Sequence, residues 1–191
     1  KDTKLNLSPY YLKPGFAFGG SCLPKDVRAL TYKARTLDLD LPLLSSILPS
    51  NDRQVERGYT MITGKGKRKI GVLGFSFKAG TDDLRESPVV ELAERLIGKG
   101  YDLRIYDENV NLARLHGANR DYILNHIPHI SRLMVGSMEE VLAHADTIVI
   151  GNAAPEFSDV PQRLAEGQTV IDLVRITESR SISGVYEGIC W

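Results

Sequence analysis

Residues 69–75 read KIGVLGF, a short apolar run closed by the glycine-lysine stretch GKGKRK (64–69) on one side and by Gly74 on the other. An apolar run of this length between turn signals reads as a strand buried on both faces. SPVVELAERLIGKG (87–100) follows, with Ser87 at the cap, Pro88 in the first turn and Val89, Val90, Ala93, Leu96 and Ile97 at helical spacing. YDLRIYDE (101–108) is a second strand. A strand, a helix and a strand within forty residues predict a parallel sheet covered on both faces.

Downstream the alternation continues. NVNLARLHG (109–117) and NRDYILNHI (119–127) read as short helices, SRLMVG (131–136) as a strand, and SMEEVLAHA (137–145) as a helix opened by a Ser137/Glu140 capping box. DTIVIGN (146–152) and QTVIDLV (168–174) are strands flanking a helix over APEFSDVPQRLAEG (154–167). The total is five or six strands in a Rossmann-like, doubly wound α/β sheet. Ligands of such sheets sit beyond the carboxyl ends of the strands. That rule puts GFSFKAGTDDLRES (74–87), Asp107 and GNAAPEF (151–157) on the binding rim.

Upstream, no strand signal is present. KDVRALTYKARTL (25–37) carries Val27, Leu30, Ala34 and Leu37 at helical spacing, after Pro24 in a first-turn position. LPLLSSIL (41–48) starts another helix, which Pro49 should break or kink, and SNDRQVERGYTMIT (50–63) resumes it with Ser50 as cap. The predicted division is therefore an all-helical segment, 1–64, and a sheet domain, 65–191.

The chain has 191 residues, 42% hydrophobic and 25% charged, with 24 basic and 24 acidic residues. That length buries enough surface to need no staples. Zero net charge argues against a nucleic-acid partner, and no apolar run approaches the ~18 residues of a membrane span. The polar opening KDTKLNLSPYYLKPG (1–15) reads as cut from something longer. Cys22 and Cys190 are the two cysteines; they read as reduced thiols of a cytoplasmic protein.

Cys22 has the more telling surroundings, GFAFGGSCLPKD (15–26). A thiol at a helix N-terminus beside Lys25 is favoured as thiolate. Gly19 and Gly20 let a substrate approach the backbone, and Asp26 is placed to orient Lys25 or a water. In the 74–87 loop, Lys78 and Arg85 suit a diphosphate, although Asp82, Asp83 and Glu86 share the loop. The bland alternatives are a small cap residue for Cys22 and a solvated charged turn for the loop. No G-x-G-x-x-G or Walker pattern occurs. His126 and His129 flank Pro128 with no cysteine near, so no metal site is expected.

YYLKPGFAFGGSCLPKDVRALTYKA (10–34) and GFSFKAGTDDLRESPVVELAERLIGKGY (74–101), in this order, resemble the UDP-glucose/GDP-mannose 6-dehydrogenase family. The resemblance runs from Tyr10 to Trp191 and is closest to the bacterial branch that supplies GDP-mannuronate for alginate. It implies a sugar C6 alcohol oxidised twice by NAD through a thioester on Cys22. Lys25 matches the lysine near the nicotinamide and Asp26 its partner acid. Tyr10, Tyr11, Lys13, Phe16 and Gly19 match the segment around the nucleotide sugar, Lys78 a substrate contact and Arg85 a cofactor contact. GDP-mannose is the implied ligand and UDP-glucose the alternative. The family's N-terminal Rossmann domain, catalytic glutamate and central-helix lysine and asparagine have no counterpart here, and Pro49 departs from a continuous central helix. The chain thus resembles a C-terminal part, expected to be inactive alone, of enzymes that dimerise through the central helix. Two other readings compete: a nucleotide-sugar binding module with a structural thiol, and a redox-sensing thiol domain.

Overall fold

Alternate residues of the central strands go to opposite faces, and each face has its own core. Ile70, Val72, Leu103, Ile105, Val149 and Ile171 share one buried cluster, while Leu73, Ile148, Ile150 and Val170 share the other. The computed structural model describes residues 15–110, 130–177 and 184–190. Its strands are β1 (Lys69–Leu73), β2 (Asp102–Tyr106), β3 (Thr147–Ile150), β4 (Thr169–Asp172) and β5 (Val185–Gly188). They form one sheet in the order β2-β1-β3-β4-β5, parallel throughout. A wholly parallel sheet must be covered on both sides, which is why β1, β3 and β4 are apolar on both faces.

The helices are α1 (Leu23–Thr36), α2 (Pro42–Thr63), α3 (Pro88–Gly98) and α4 (Met138–His144). Val55 and Ile62 of α2 and Val89, Val90, Leu92, Ala93 and Leu96 of α3 fill the first cluster. Val141 of α4 joins the second, with Phe157, Val160 and Leu164. At Gly71 a Cβ would lie 2.4 Å from Val141 Cγ1 and 2.8 Å from the Ala145 Cβ. Gly71→Ala is therefore expected to lower the free energy of unfolding by about 1–3 kcal/mol. A urea midpoint unchanged from that of the parent protein would remove this close helix–strand approach from the account.

The two-helix start and the five-strand parallel sheet match the sequence reading, and several details differ from it. α2 runs unbroken through Pro49, and Ser50 is interior to it rather than a cap. Pro49 cannot donate to the Ser45 carbonyl, but both residues are exposed, so solvent can take that bond. Val27 and Ala34 of α1 are buried, whereas Leu30 and the C-cap Leu37 are 56% and 55% exposed. Ser87 is the N-cap of α3 but makes no capping bond, because its hydroxyl donates to the Phe75 carbonyl at 3.0 Å. The Ser137–Glu140 cap is present, with Glu140 N donating to Ser137 Oγ at 3.3 Å.

The SRLMVG strand reduces to one parallel bridge between Met134 and Ile105. The Leu133 and Met134 amides turn back to the Ile130 carbonyl, which leaves no length to pair. The helix expected over 154–167 is two 3-10 turns, Pro155–Phe157 and Val160–Gln162. Pro161 lacks the N–H that would have carried a helix on from Phe157. The helices read over 109–117 and 119–127 lie largely outside the described residues, as do His126 and His129.

Candidate functional site

The two motif-bearing loops meet at the carboxyl end of the sheet. β1 leads into residues 74–87, and residues 15–22 lie against that loop before α1 begins. The Gly20 amide donates to the Arg85 carbonyl at 3.2 Å. A Cβ on Gly19 would lie 2.2 Å from the Glu86 carbonyl oxygen and 2.7 Å from Pro88 Cδ, so this backbone contact admits no side chain. Gly20 has φ +87° and faces the Phe77 ring, where a Cβ would approach Cε2 to 3.0 Å. Only glycine combines that left-handed backbone with that proximity at little cost.

Cys22 is the N-cap of α1 and is exposed, with Ser21 Oγ 3.8 Å from its sulfur. Pro24 occupies the first turn, as the sequence indicated. The partial positive charge of a helix N-terminus acts on a group so placed. Lys25 Nζ stands 3.3 Å from Asp26 Oδ1, with both side chains largely exposed. Lys78 is exposed, and its carbonyl accepts bonds from Ser76 Oγ and Thr81 Oγ1. Arg85 grips Asp83 through Nε at 2.9 Å and Nη2 at 2.8 Å. That hydrogen bond holds the Asp83 carboxyl below its usual range against the effect of burial. The same bond raises Arg85 above its usual range, against the effect of burial, and the Asp83 charge adds to it. Arg28 of α1 pairs with Glu86 through Nη1 at 3.2 Å and Nη2 at 2.5 Å, and Glu86 has a left-handed φ of 50°.

Segment 15–19 borders two clefts. One of about 230 Å³ is lined by Phe16, Ala17, Phe77, Val89, Gly151 and Val174. The other, about 370 Å³, lies among α1, α2 and α3 and includes Phe18, Arg28, Asn51, Glu86 and Glu91. Cys22 lines neither; it stands on the surface beside the Arg85 loop. Phe16 packs its ring against Gly58 of α2 and lines the smaller cleft. Tyr10, Tyr11 and Lys13 lie outside the described residues.

Asp107 and Asn152 turn inward instead of lining the rim. Asp107 Oδ2 accepts from Phe75 N (2.8 Å), Ser76 N (3.0 Å), Ser76 Oγ (3.1 Å) and Asn152 Nδ2 (3.3 Å). This brace closes the crevice between β1 and β3, where the strand order reverses. There a Cβ on Gly151 would lie 2.3 Å from the Gly74 carbonyl, and Asn152 covers Gly74. A doubly wound sheet receives a dinucleotide at that point, and here the space is filled by the chain itself. The sheet therefore does not fit as a dinucleotide cradle. Among the described residues no group of three or more His, Cys, Asp or Glu is arranged to hold a metal ion. No described helix is long and apolar enough to cross a membrane.

Sequence reasoning missed the contribution of α2. Asn51 and Gln54 bond to the backbone of segment 15–19, and Cys190 Sγ approaches the Gly15 carbonyl at 3.3 Å. An asparagine in a helix and a cysteine near residue 190 give no sequence signal of a contact across the fold.

Two family models match the chain. One, described as the UDP binding domain of the UDP-glucose/GDP-mannose dehydrogenase family, covers residues 71–179; the other, the central domain of the same family, covers residues 2–53. GDP-mannose 6-dehydrogenase of Pseudomonas aeruginosa is 56% identical over 191 residues, spanning all of this chain and 44% of that protein. UDP-glucose 6-dehydrogenase of Rickettsia felis is 31% identical, over 92% of this chain and 39% of that protein. The crystal structure of a ternary complex of the Pseudomonas aeruginosa GDP-mannose dehydrogenase matches with a TM-score of 0.90 at 56% identity, over 100% of this chain and 43% of that one. The chain thus spans less than half the length of these relatives.

Proposed function

Because this chain belongs to the UDP-glucose/GDP-mannose dehydrogenase family, we propose that it forms the C-terminal, nucleotide-sugar-binding part of an NAD-dependent GDP-mannose 6-dehydrogenase. The observation that carries this reading is Cys22, exposed at the first turn of α1 and tied through Gly20 to the Arg85 loop. Identity of 56% to a GDP-mannose enzyme against 31% to a UDP-glucose enzyme supports the guanine nucleotide and mannose. Residues 1–64 supply the cysteine loop and the end of the central helical region, and 65–191 supply the nucleotide-sugar domain.

In this reading Cys22 holds the sugar between the two oxidations. Its sulfur bonds to the C6 aldehyde carbon while the carbonyl oxygen takes a proton, giving a thiohemiacetal. At the next oxidation level the same C–S bond is a thioester. Water adds to that carbon, the C–S bond breaks, and the carboxylate of GDP-mannuronate, the alginate precursor, leaves as the thiol regains its proton. NAD, when bound, supplies the acceptor for the two hydrides. Lys25 and Arg85 are the residues here proposed to meet it, with Asp26 orienting Lys25. Phe16, Gly19 and Lys78, with Tyr10, Tyr11 and Lys13, contact the nucleotide sugar. Turnover is expected from a protein of the relatives' full length and not from these 191 residues alone.

The test is calorimetric titration of the full-length protein with GDP-mannose and with UDP-glucose, followed by NADH formation from the preferred sugar. The expected result is selective GDP-mannose binding and two NADH per sugar. A preference for UDP-glucose would replace the substrate and keep the chemistry. Tight binding without NADH would leave a nucleotide-sugar binding module in place of an enzyme.

A further inference from the structure

We infer that Asn51 of α2 is a positioning residue for the Cys22 thiol. The inference rests on the reading of Cys22 as nucleophile, and concerns how its loop is held. The Asn51 side-chain amide makes two hydrogen bonds to one residue: the Phe18 amide donates to Oδ1 at 2.8 Å, and Nδ2 donates to the Phe18 carbonyl at 2.9 Å. This pair satisfies both backbone groups of Phe18, as a neighbouring strand would. Asparagine is a weak helix former, yet it occupies the interior of a 22-residue helix. Its side chain is committed to the loop.

The grip extends along one face of α2. Gln54, one turn on, donates to the Gly15 carbonyl at 3.2 Å, and Gly58, a further turn on, leaves room for the Phe16 ring. Positions 51, 54 and 58 thus meet Phe18, Gly15 and Phe16 in turn from one side of the helix. α2 is itself anchored in the core by Val55 and Ile62, which are 2% and 0% exposed. Between Phe18 and Cys22 lie only Gly19, Gly20 and Ser21. Two glycines leave that stretch few side-chain contacts of its own, so the sulfur's position depends on what fixes Phe18 on one side, on the Gly20 bond to the Arg85 carbonyl, and on α1 on the other. A substrate carbon must meet the sulfur within a few tenths of an ångström, and a displacement of about 1 Å can cost about 10²-fold in rate.

The experiment uses the full-length protein with Asn51→Asp, which keeps the shape and the acceptor but removes the donor, and Asn51→Ala, which removes both. Hydrogen exchange of the Phe18 amide is expected to accelerate at least about tenfold in Asn51→Ala, with core amides of β1 and β3 unchanged. The kcat for GDP-mannose is expected to fall about 10²-fold in Asn51→Ala and less in Asn51→Asp, with KM within about threefold of the parent protein's. An unchanged Phe18 exchange rate overturns the proposal, and so does faster exchange with kcat intact. Loss of core protection together with kcat makes Asn51 merely structural and also overturns it. If the unmodified protein does not turn over GDP-mannose, the proposed function fails. Iodoacetamide labelling of Cys22 then reads the loop in place of kcat: an altered rate in Asn51→Ala supports the clamp, and an unaltered rate overturns it.

Discussion

Cys22→Ser is expected to reduce NADH formation from GDP-mannose by at least about 10⁴-fold in the full-length protein, with binding of the sugar nucleotide retained. A serine hydroxyl is a poor nucleophile at neutral pH without a base, and an oxygen ester is a poorer acyl donor to water than a thioester. Both stages served by the sulfur therefore suffer. The substitution is well suited to isolating chemistry. Cys22 is exposed and Ser21 Oγ stands 3.8 Å from its sulfur, so stability should change by no more than about 0.5 kcal/mol. Rapid-quench mass spectrometry of the unmodified protein should find the acyl adduct on the peptide containing Cys22. A Cys22→Ser protein that turns over within tenfold of the parent rate would remove covalent catalysis from the proposal.

Asp107→Ala is expected to cost about 3–5 kcal/mol of folding free energy, the largest stability effect of a single truncation near the site. Asp107 is 6% exposed. Its Oδ2 takes the Phe75 and Ser76 amides, the Ser76 hydroxyl and the Asn152 amide, and its Oδ1 takes the Asn109 amide at 3.0 Å. Truncation leaves buried amides without an acceptor just as the chain leaves β1. Asp107→Asn should fall between, at about 1–3 kcal/mol, since one end of the new amide is a donor facing donors. Urea unfolding monitored by circular dichroism gives both values. A cost below 1 kcal/mol for the alanine variant would mean that water replaces the carboxylate and that the crevice is not sealed by this brace.

The legible parts of this fold were those with local causes. KIGVLGF, DTIVIGN and QTVIDLV became strands because an apolar run too short for a helix has few other uses, and Ser137–Glu140 capped a helix because both groups lie within one turn. What sequence left out depends on distant partners. β5 consists of Val185–Gly188, half-exposed and without apolar alternation, and is a strand because β4 offers an unpaired edge. Pro49 reads as a break, yet α2 continues because Val55, Gly58 and Ile62 are buried on its other side. Within the site, glycines, cysteine and proline at 19–24 announced themselves by composition. Asn51 and Gln54 did not, since an amide on a helix looks like an ordinary polar face until its partner loop is known. Asp107 was assigned correctly to a strand end and wrongly to the rim, because polarity at a strand end does not tell binding from bracing.

The contact between Cys190 and Gly15 also bears on the order in which the molecule assembles. Cys190 Sγ and Gln54 Nε2 converge on the Gly15 carbonyl across a sequence separation of 175 residues, and Lys65 near the end of α2 pairs with Glu187 of β5. Contacts of such separation form slowly, because the intervening chain must first be closed into a loop. The strap leading to Cys22 is therefore completed only after β5 has joined the sheet. Phe18 and Gly20, nearer Cys22, have partners much closer along the chain, Asn51 and Arg85. The two ends of the strap are thus fixed by different parts of the fold: the end next to Cys22 by α2 and the 74–87 loop, the far end by the residue that follows β5.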